Sequence, residues 1–278
     1  KTIDKYMFGC YTQIMEMNGW KGTELMFTEE RQAAIELCLQ EQGKVRVKEL
    51  SEYFRVTEDC IRKDLKSLEN AGKLKRTYGG AILSRDYPLQ RDVVNRREYN
   101  LDKKKLIAEK ALHLIRKNET VFLDISTSNI ELAKLLAAKR MTVTVVSNMI
   151  DILQILAHEP AITTIGTGGD MYLSVNGFMG AAAMEVIRQY SFDRAFVGCC
   201  GVDMLDMGIT AQGATDGLTK RTVMNSSRHS YVVMEKEKFY FNDSYKFAHL
   251  DDVSGIITDE MPDENIVKSV EAAGVKLI

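Results

Sequence analysis

Proline is scarce: three residues in 278 leave no room for a long proline-rich linker. Tryptophan occurs once, as Trp20. No apolar run approaches the roughly 18 residues of a membrane helix, so no span is expected. The opening KTIDKYMFGC lacks the apolar centre of a secretory signal. The five cysteines, Cys10, Cys38, Cys60, Cys199 and Cys200, are odd in number and form no CxxC pair. That argues against a disulfide framework and for a reducing cytoplasm. The four histidines, at 113, 158, 229 and 249, are too scattered to build a zinc pattern with the cysteines, and no metal or cofactor is expected. An excess of charge of one sign is missing too. A net charge of −2 argues against a wholly basic nucleic-acid coat protein.

What is present is ordinary in amount and uneven in placement. Apolar content of 45% and charged content of 27% suit a globular protein, and the length allows two domains. Residues 57–85, however, hold seven Lys/Arg against four Asp/Glu. A local basic excess on a near-neutral chain fits a small DNA-binding module joined to something else.

Residues 1–26 show no clean periodicity and read as an N-terminal extension. Lys21-Gly22 can be encoded by a purine-rich run resembling a ribosome-binding site just upstream of Met26, so Met26 is the expected usual start. From Thr28 the pattern sharpens. TEERQAAIELCLQEQG has Thr28 as a cap, acidic residues in its first turn and Gly43 at its stop, with Ala34, Ile35, Cys38 and Leu39 on one face. VRVKELSEYFRV gives a second short helix with Val47, Leu50, Tyr53 and Phe54 on its apolar side. Thr57 caps a third, whose stripe is Ile61, Leu65 and Leu68 and whose stop is Gly72. KLKRTYGGAIL then places two extended pieces around Gly79-Gly80.

Three short helices and a hairpin within 27–83 make a winged helix-turn-helix. The stripe turns Arg62, Lys63 and Lys66 outward, where a helix of this size enters the major groove of double-stranded DNA with its N-terminal turns, and Thr57, nearest the base edges. Lys73, Lys75 and Arg76 on the next strand would follow the phosphate backbone, with Tyr78 at the wing. A solvated cationic face on an ordinary helical domain is the competing reading. Cys60 reads as a small, half-buried residue.

Residues 84–103 are rich in charge, contain Pro88 and read as a linker. Through 104–278, helical patterns such as KKLIAEKALHLIRKNE, with Leu106, Ile107, Ala111, Leu114 and Ile115 on one side, alternate with continuous apolar strands: TVFLDIS, MTVTVVS, AITTIG, DRAFVGCCG, SYVVME and VSGIITD. Such strands are buried on both faces, so the fold class is α/β, a parallel sheet flanked by helices. Ligands of such sheets sit beyond the carboxyl ends of strands. There the chain offers Asp124 with Ser126, Thr127 and Ser128, a hydroxyl-rich helix start suited to a phosphate. Ser147-Asn148 opens another helix. Gly168-Gly169 lies in a turn that lets backbone approach a ligand but lacks a dinucleotide fingerprint. Asp203 would bind a sugar hydroxyl, and Lys220 or Lys238 would pair with an anion. Each of these is also an ordinary cap, turn or solvated side chain when taken alone. Cys199-Cys200 reads as packing, since no histidine is placed beside it.

The stretch from Phe27 to Leu83, above all IRKDLKSLENAGKLKRTYGGA, resembles the N-terminal module of DeoR-family bacterial transcriptional regulators. KKLIAEKA, VFLDIST, TVVSN, GTGG, DRAFVGCCGVD and GIITD resemble that family's sensor domain, so the likeness runs from about Phe27 to the C-terminus. It implies a repressor of a carbohydrate-use operon, a homo-oligomer (dimer or tetramer) on operator DNA, released by a phosphorylated sugar. It also implies a sensor fold related to sugar-phosphate isomerases. The chain departs from the family pattern at four places. Ser126-Thr127-Ser128 replaces Gly-Thr-Thr, Glu235-Lys236-Glu237-Lys238 replaces Asp-x-Ser-Lys, Tyr78 replaces a His of the wing, and Cys60 replaces a Thr of the third helix.

Two rival functions stand beside this one. An aldose–ketose sugar-phosphate isomerase with an appended DNA module would need a placed carboxylate base, for which Asp124 and Asp203 are the candidates. A DNA-binding protein whose sensor has lost its ligand would answer to no sugar phosphate at all.

Overall fold

The apolar repeat of Ala34, Ile35, Cys38 and Leu39 winds into the first helix, α1 (Thr28–Gln42), and all four side chains are buried. A computed structural model of the chain describes residues 27–42, 44–71, 73–77, 79–83, 93–204 and 206–278, with the side chains at 40–42, 44, 75, 77, 82, 83, 94 and 95 outside the description. The extension 1–26, the stops Gly43 and Gly72, and Tyr78 thus lie outside the described residues. The chain divides into two units, Lys1–Pro88 and Leu89–Ile278.

In the first unit a strand absent from the sequence reading, β1 (Lys44–Arg46), precedes α2 (Val47–Phe54) and α3 (Glu58–Asn70). The hairpin follows as β2 (Leu74–Thr77) and β3 (Gly80–Leu83), and β1 pairs antiparallel with β3 to give a three-stranded wing sheet. The two glycines have separate tasks. Gly79 holds the turn at φ 82°, whereas a Cβ on Gly80 would lie 2.0 Å from the Val45 carbonyl oxygen across the β1–β3 pairing. The core of this unit joins Ile35, Leu39, Leu50, Ile61, Leu65 and Leu68, so the predicted stripes of all three helices meet.

The second unit opens with α4 (Val93–Glu98) and α5 (Leu101–Leu112), whose starts fall inside the 84–103 segment. Leu106 is a correction to the predicted face of α5: it is 47% exposed, while Ile107, Ala108, Ala111 and Leu112 are buried. There follow β4 (Thr120–Leu123), α6 (Thr127–Ala138), β5 (Val143–Ser147), α7 (Ile150–Leu156) and β6 (Ile162–Gly166). A short antiparallel pair, β7 (Asp170–Tyr172) and β8 (Gly177–Met179), leads to α8 (Ala181–Arg188) and β9 (Arg194–Gly198). The remainder is β10 (Gly201–Asp203), β11 (Gly208–Ala211), α9 (Ala214–Asn225), β12 (Ser230–Val233), β13 (Tyr245–His249), β14 (Gly255–Ile257), α10 (Glu264–Ala272) and β15 (Lys276–Leu277).

Seven strands form one parallel sheet in the order β15-β14-β12-β9-β4-β5-β6. Successive strand residues face opposite layers. Val121 and Leu123 pack with residues of α5, α6 and α7, whereas Phe122 packs with residues of α8, α9 and α10. β5, β9 and β12 split in the same way, which is why their sequences read as unbroken apolar runs. Strand order reverses between β4 and β9, the switch point at which α/β sheets leave a crevice. A second sheet, β10-β11-β13, is antiparallel and was not legible as such.

Candidate functional site

In the first unit, α3 is the presenting element. The Thr57 hydroxyl caps it, accepting the Cys60 N–H at 3.3 Å. Ile61, Leu65 and Leu68 hold its inner face at 2% exposure or less. A carboxylate missed in the sequence reading also sits on that face. Asp64 is buried and accepts two hydrogen bonds from Arg31 of α1, at 2.6 and 3.2 Å, and one from Gln32. Its place on the apolar stripe was the available signal. Asp64 and its hydrogen bonds raise the Arg31 pKa against the cost of burial.

Anchored in this way, α3 exposes Arg62, Lys63 and Lys66. Arg62 is not idle: its guanidinium spans Glu58 at 2.5 Å and Asp59 at 2.7 Å, with all three side chains open to solvent. On the wing, Arg76 is held by Glu69 of α3 at 2.6 Å, and Lys73 by Glu36 of α1 at 2.6 Å. Exposed pairs of this kind are worth little and exchange readily for phosphate or base acceptors. The Lys75 side chain is outside the description.

In the second unit, the carboxyl ends of β4 and β9 meet at the switch point. The Asp124 carboxylate is wholly buried. Its Oδ2 accepts the Gly198 N–H at 3.0 Å and the Lys220 ammonium at 2.5 Å. Among the described residues its Oδ1 meets no hydrogen-bond donor. Lys220, from α9, also reaches Asp216 at 3.1 Å, a partner one helical turn away whose spacing the sequence carried but which was missed. Burial pushes Asp124 above the usual carboxylate range against the pull of Lys220. For Lys220, burial works downward but its two carboxylates prevail and keep it charged. Asn129 ties the strand ends together, donating to the carbonyls of Asp124 and Phe196. Gly198 is required by the close approach: a Cβ there would stand 2.9 Å from Ser126 Cβ.

Ser126 is the N-cap of α6, its hydroxyl accepting the Ser128 N–H at 3.3 Å. The cap uses that one hydroxyl, and those of Thr127 and Ser128 enter no hydrogen bond among the described residues. Ser147 is spent on the fold: its hydroxyl donates to the Leu123 carbonyl and accepts the Met149 N–H. Asn148 donates to the Phe178 carbonyl at 3.1 Å, and among the described residues its buried Oδ1 meets no donor. Gly168 and Gly169 both take positive φ, 61° and 116°, after β6. Lys238 donates to the Cys199 carbonyl at 2.8 Å, just beyond β9. Asp203 belongs elsewhere: it ends β10 in the antiparallel sheet and accepts from Asn242 at 2.8 Å.

The Cys199 thiol marks the cluster. Burial raises its pKa, and the charges it feels are Lys238, Lys220, Asp124 and Asp216. The Cys200 thiol is pushed up to about 12, chiefly by burial, so neither is a ready nucleophile. The substituted Glu237 places its carboxylate on Lys103 of α5.

The comparisons with known proteins agree with this two-part layout. The DeoR-like helix-turn-helix domain matches residues 31–86, and the DeoR C-terminal sensor domain matches residues 99–260. The uncharacterized HTH-type transcriptional regulator YulB of Bacillus subtilis is 30% identical over 252 residues, 91% of this chain and 96% of the relative. The HTH-type transcriptional repressor GlcR of the same organism is 27% identical over 91% of this chain and 96% of its own length. The glycerol-3-phosphate regulon repressor of Escherichia coli is 27% identical over 87% and 94%. Ribose 5-phosphate isomerase A of Methanocaldococcus jannaschii is a structural neighbour at 14% identity and a TM-score of 0.37, covering 50% of this chain and 54% of that one.

Proposed function

Because this chain belongs to the DeoR family of transcriptional regulators, we propose that it is a repressor of a carbohydrate-use operon which a phosphorylated sugar releases from DNA. The relatives' names as regulators and repressors support a non-enzyme over the isomerase reading. Asp124, the candidate base, has its Oδ2 held by Lys220 and Gly198, and Asp203 lies in the other sheet, so the two candidates do not form one catalytic set. In the reading favoured here, α3 enters the major groove with Arg62, Lys63 and Lys66, and Arg76 holds backbone from the wing. A homo-oligomer presents two such helices to the half-sites of an operator. Five of the relatives carry the word repressor in their names, including a glycerol-3-phosphate regulon repressor and a putative aga operon transcriptional repressor, and one is named an L-fucose operon activator.

The observation that carries the effector reading is the start of α6 at the switch point. There the start of a helix, the hydroxyls of Thr127 and Ser128 with no hydrogen bond among the described residues, and the cation Lys238 at the Cys199 carbonyl beyond β9 suit a phosphate. The donor-less oxygens Asp124 Oδ1 and Asn148 Oδ1 suit sugar hydroxyls. The test is a panel of fructose 1-phosphate, glucose 6-phosphate, ribose 5-phosphate and glycerol 3-phosphate, scored for release of the chain from the intergenic DNA flanking its gene. At least one compound should raise the apparent Kd for DNA tenfold or so, in line with ordinary coupling energies. No release and no thermal shift with any sugar phosphate would leave a DNA-binding protein with a silent sensor.

A further inference from the structure

Lys238 belongs to a 3-10 turn, Lys236–Tyr240, that leaves the end of β12. Its ammonium faces the strand-end site through the Cys199 carbonyl, but its neighbours face another element. The Glu237 carboxylate takes the Lys103 ammonium, which also lies 3.6 Å from Asp259. Glu235 accepts from Asn100 at 2.6 Å and stands 3.9 Å from Lys104. The turn is pinned from a third side, where the Lys236 N–H donates to Asp259 Oδ1 at 2.8 Å. Asn100 is the N-cap of α5, and Lys103 and Lys104 lie in its first turn. Lys104 passes the connection on, donating to the Arg96 carbonyl and, at 2.5 Å, to the Tyr99 carbonyl at the end of α4.

The cluster is unevenly exposed: the Lys103 and Glu237 side chains keep 32% and 45% of their exposure, whereas its other charges are shielded from water. The Asp259 side chain is 0% exposed, that of Lys104 2% and that of Glu235 10%. Burial lowers the Lys103 pKa, yet Glu237, Asp259 and Glu235 outweigh it and raise the value, holding the ammonium charged. Glu235, shielded against Asn100 and Lys104, cannot part from them cheaply, and the more exposed Lys103–Glu237 pair adds a second, weaker tie between the turn and the start of α5. The residues on the far side of this cluster, α4 and the start of α5, are also the first described ones after the DNA-binding unit.

Resting on the effector reading above, we infer that the 235–238 turn relays occupancy of the strand-end site to the α4–α5 corner. A phosphate that draws Lys238 off the Cys199 carbonyl displaces Glu235 and Glu237, and through Lys103 and Asn100 it re-seats the helices that lead into the DNA-binding unit. Lys103 and Glu237 act here as positioning residues, through the contacts they make with each other and with Asp259. The relay requires two arrangements of one ion cluster that the ligand binds unequally, which is the general condition for coupling between sites.

The experiment uses the full chain with Lys103→Met, Glu237→Gln and the charge-keeping Lys103→Arg. Without ligand, amide hydrogen exchange should quicken by about tenfold at residues 235–240 and 100–106 together in the first two variants, and stay near wild type in Lys103→Arg. With whichever compound of the sugar-phosphate panel releases the wild type, the first two variants should bind it within about twofold by thermal titration yet stay on DNA, while Lys103→Arg releases. Exchange that quickens on one side only, or normal release by Lys103→Met and Glu237→Gln, overturns the relay and leaves the effector reading standing. A wild type that binds no member of the panel overturns the effector reading, and the relay with it. If Lys103→Met fails to fold, the milder Glu237→Gln decides both arms.

Discussion

Two cations in this chain are each held by two carboxylates, and they could hardly differ more in consequence. Arg62 sits between Glu58 and Asp59 on the outer face of α3, where its side chain keeps 54% of its exposure. Lys220 sits between Asp124 and Asp216 beneath the ends of β4 and β9, where it keeps 4%. Water and salt weaken the first arrangement until it is a resting place from which a guanidinium can move to a base or a phosphate. The second has no water to fall back on, and breaking it strands a charge. The same pattern, one cation between two carboxylates, therefore makes an easily exchanged surface pair in one unit and a fixed frame in the other.

The comparison is broken most severely by Lys220→Met. The stranded carboxylates should cost the sensor roughly 3–5 kcal/mol, read as a lowered urea midpoint, and adding Asp124→Asn should recover part of it. The pH dependence has a definite sign. The folded state raises the Lys220 pKa, so its contribution is complete below the ordinary lysine value of about 10.4 and is lost as pH climbs through the higher folded value. An unchanged midpoint would make the buried pair equivalent to the exposed one.

Arg62→Ala comes next. Exposed pairs contribute about 0–1 kcal/mol, so the thermal midpoint should hardly move. Selection from randomised duplexes should instead lose about 1–3 kcal/mol of discrimination at one base-pair position. Equal weakening on every sequence would assign Arg62 to the backbone. Arg76→Ala has the smallest expected effect: binding falls for all duplexes alike, and the slope of log K against log salt becomes shallower by about one. A loss limited to one operator position would move Arg76 from backbone to base.

Much of the fold could be read from apolar periodicity. The stripes on α1, α2 and α3 and six of the seven strands of the parallel sheet each had a local signature, because burial on one or both faces writes itself into neighbouring residues; the two-residue β15 was missed. What lacked a local signature stayed hidden. β1 is three residues long and exists by pairing with β3, and the β10-β11-β13 sheet draws its strands from separated stretches. The strand-end residues were legible as a set, since hydroxyls and glycines cluster after strands. Their division of labour was not: the Ser147 hydroxyl is consumed by Leu123 and Met149, whereas the Thr127 and Ser128 hydroxyls enter no hydrogen bond among the described residues.

By itself the sequence determined which segments bury apolar surface and which residue types crowd the strand ends and the outer face of α3, since these follow from spacing along the chain. Only the tertiary structure decided who neutralises whom. Arg31 meets Asp64 across 33 positions, Lys220 meets Asp124 across 96, and Lys103 meets Glu237 across 134. Electrostatic strength depends on distance in space and on the loss of surrounding water, and neither is a property of the order of residues.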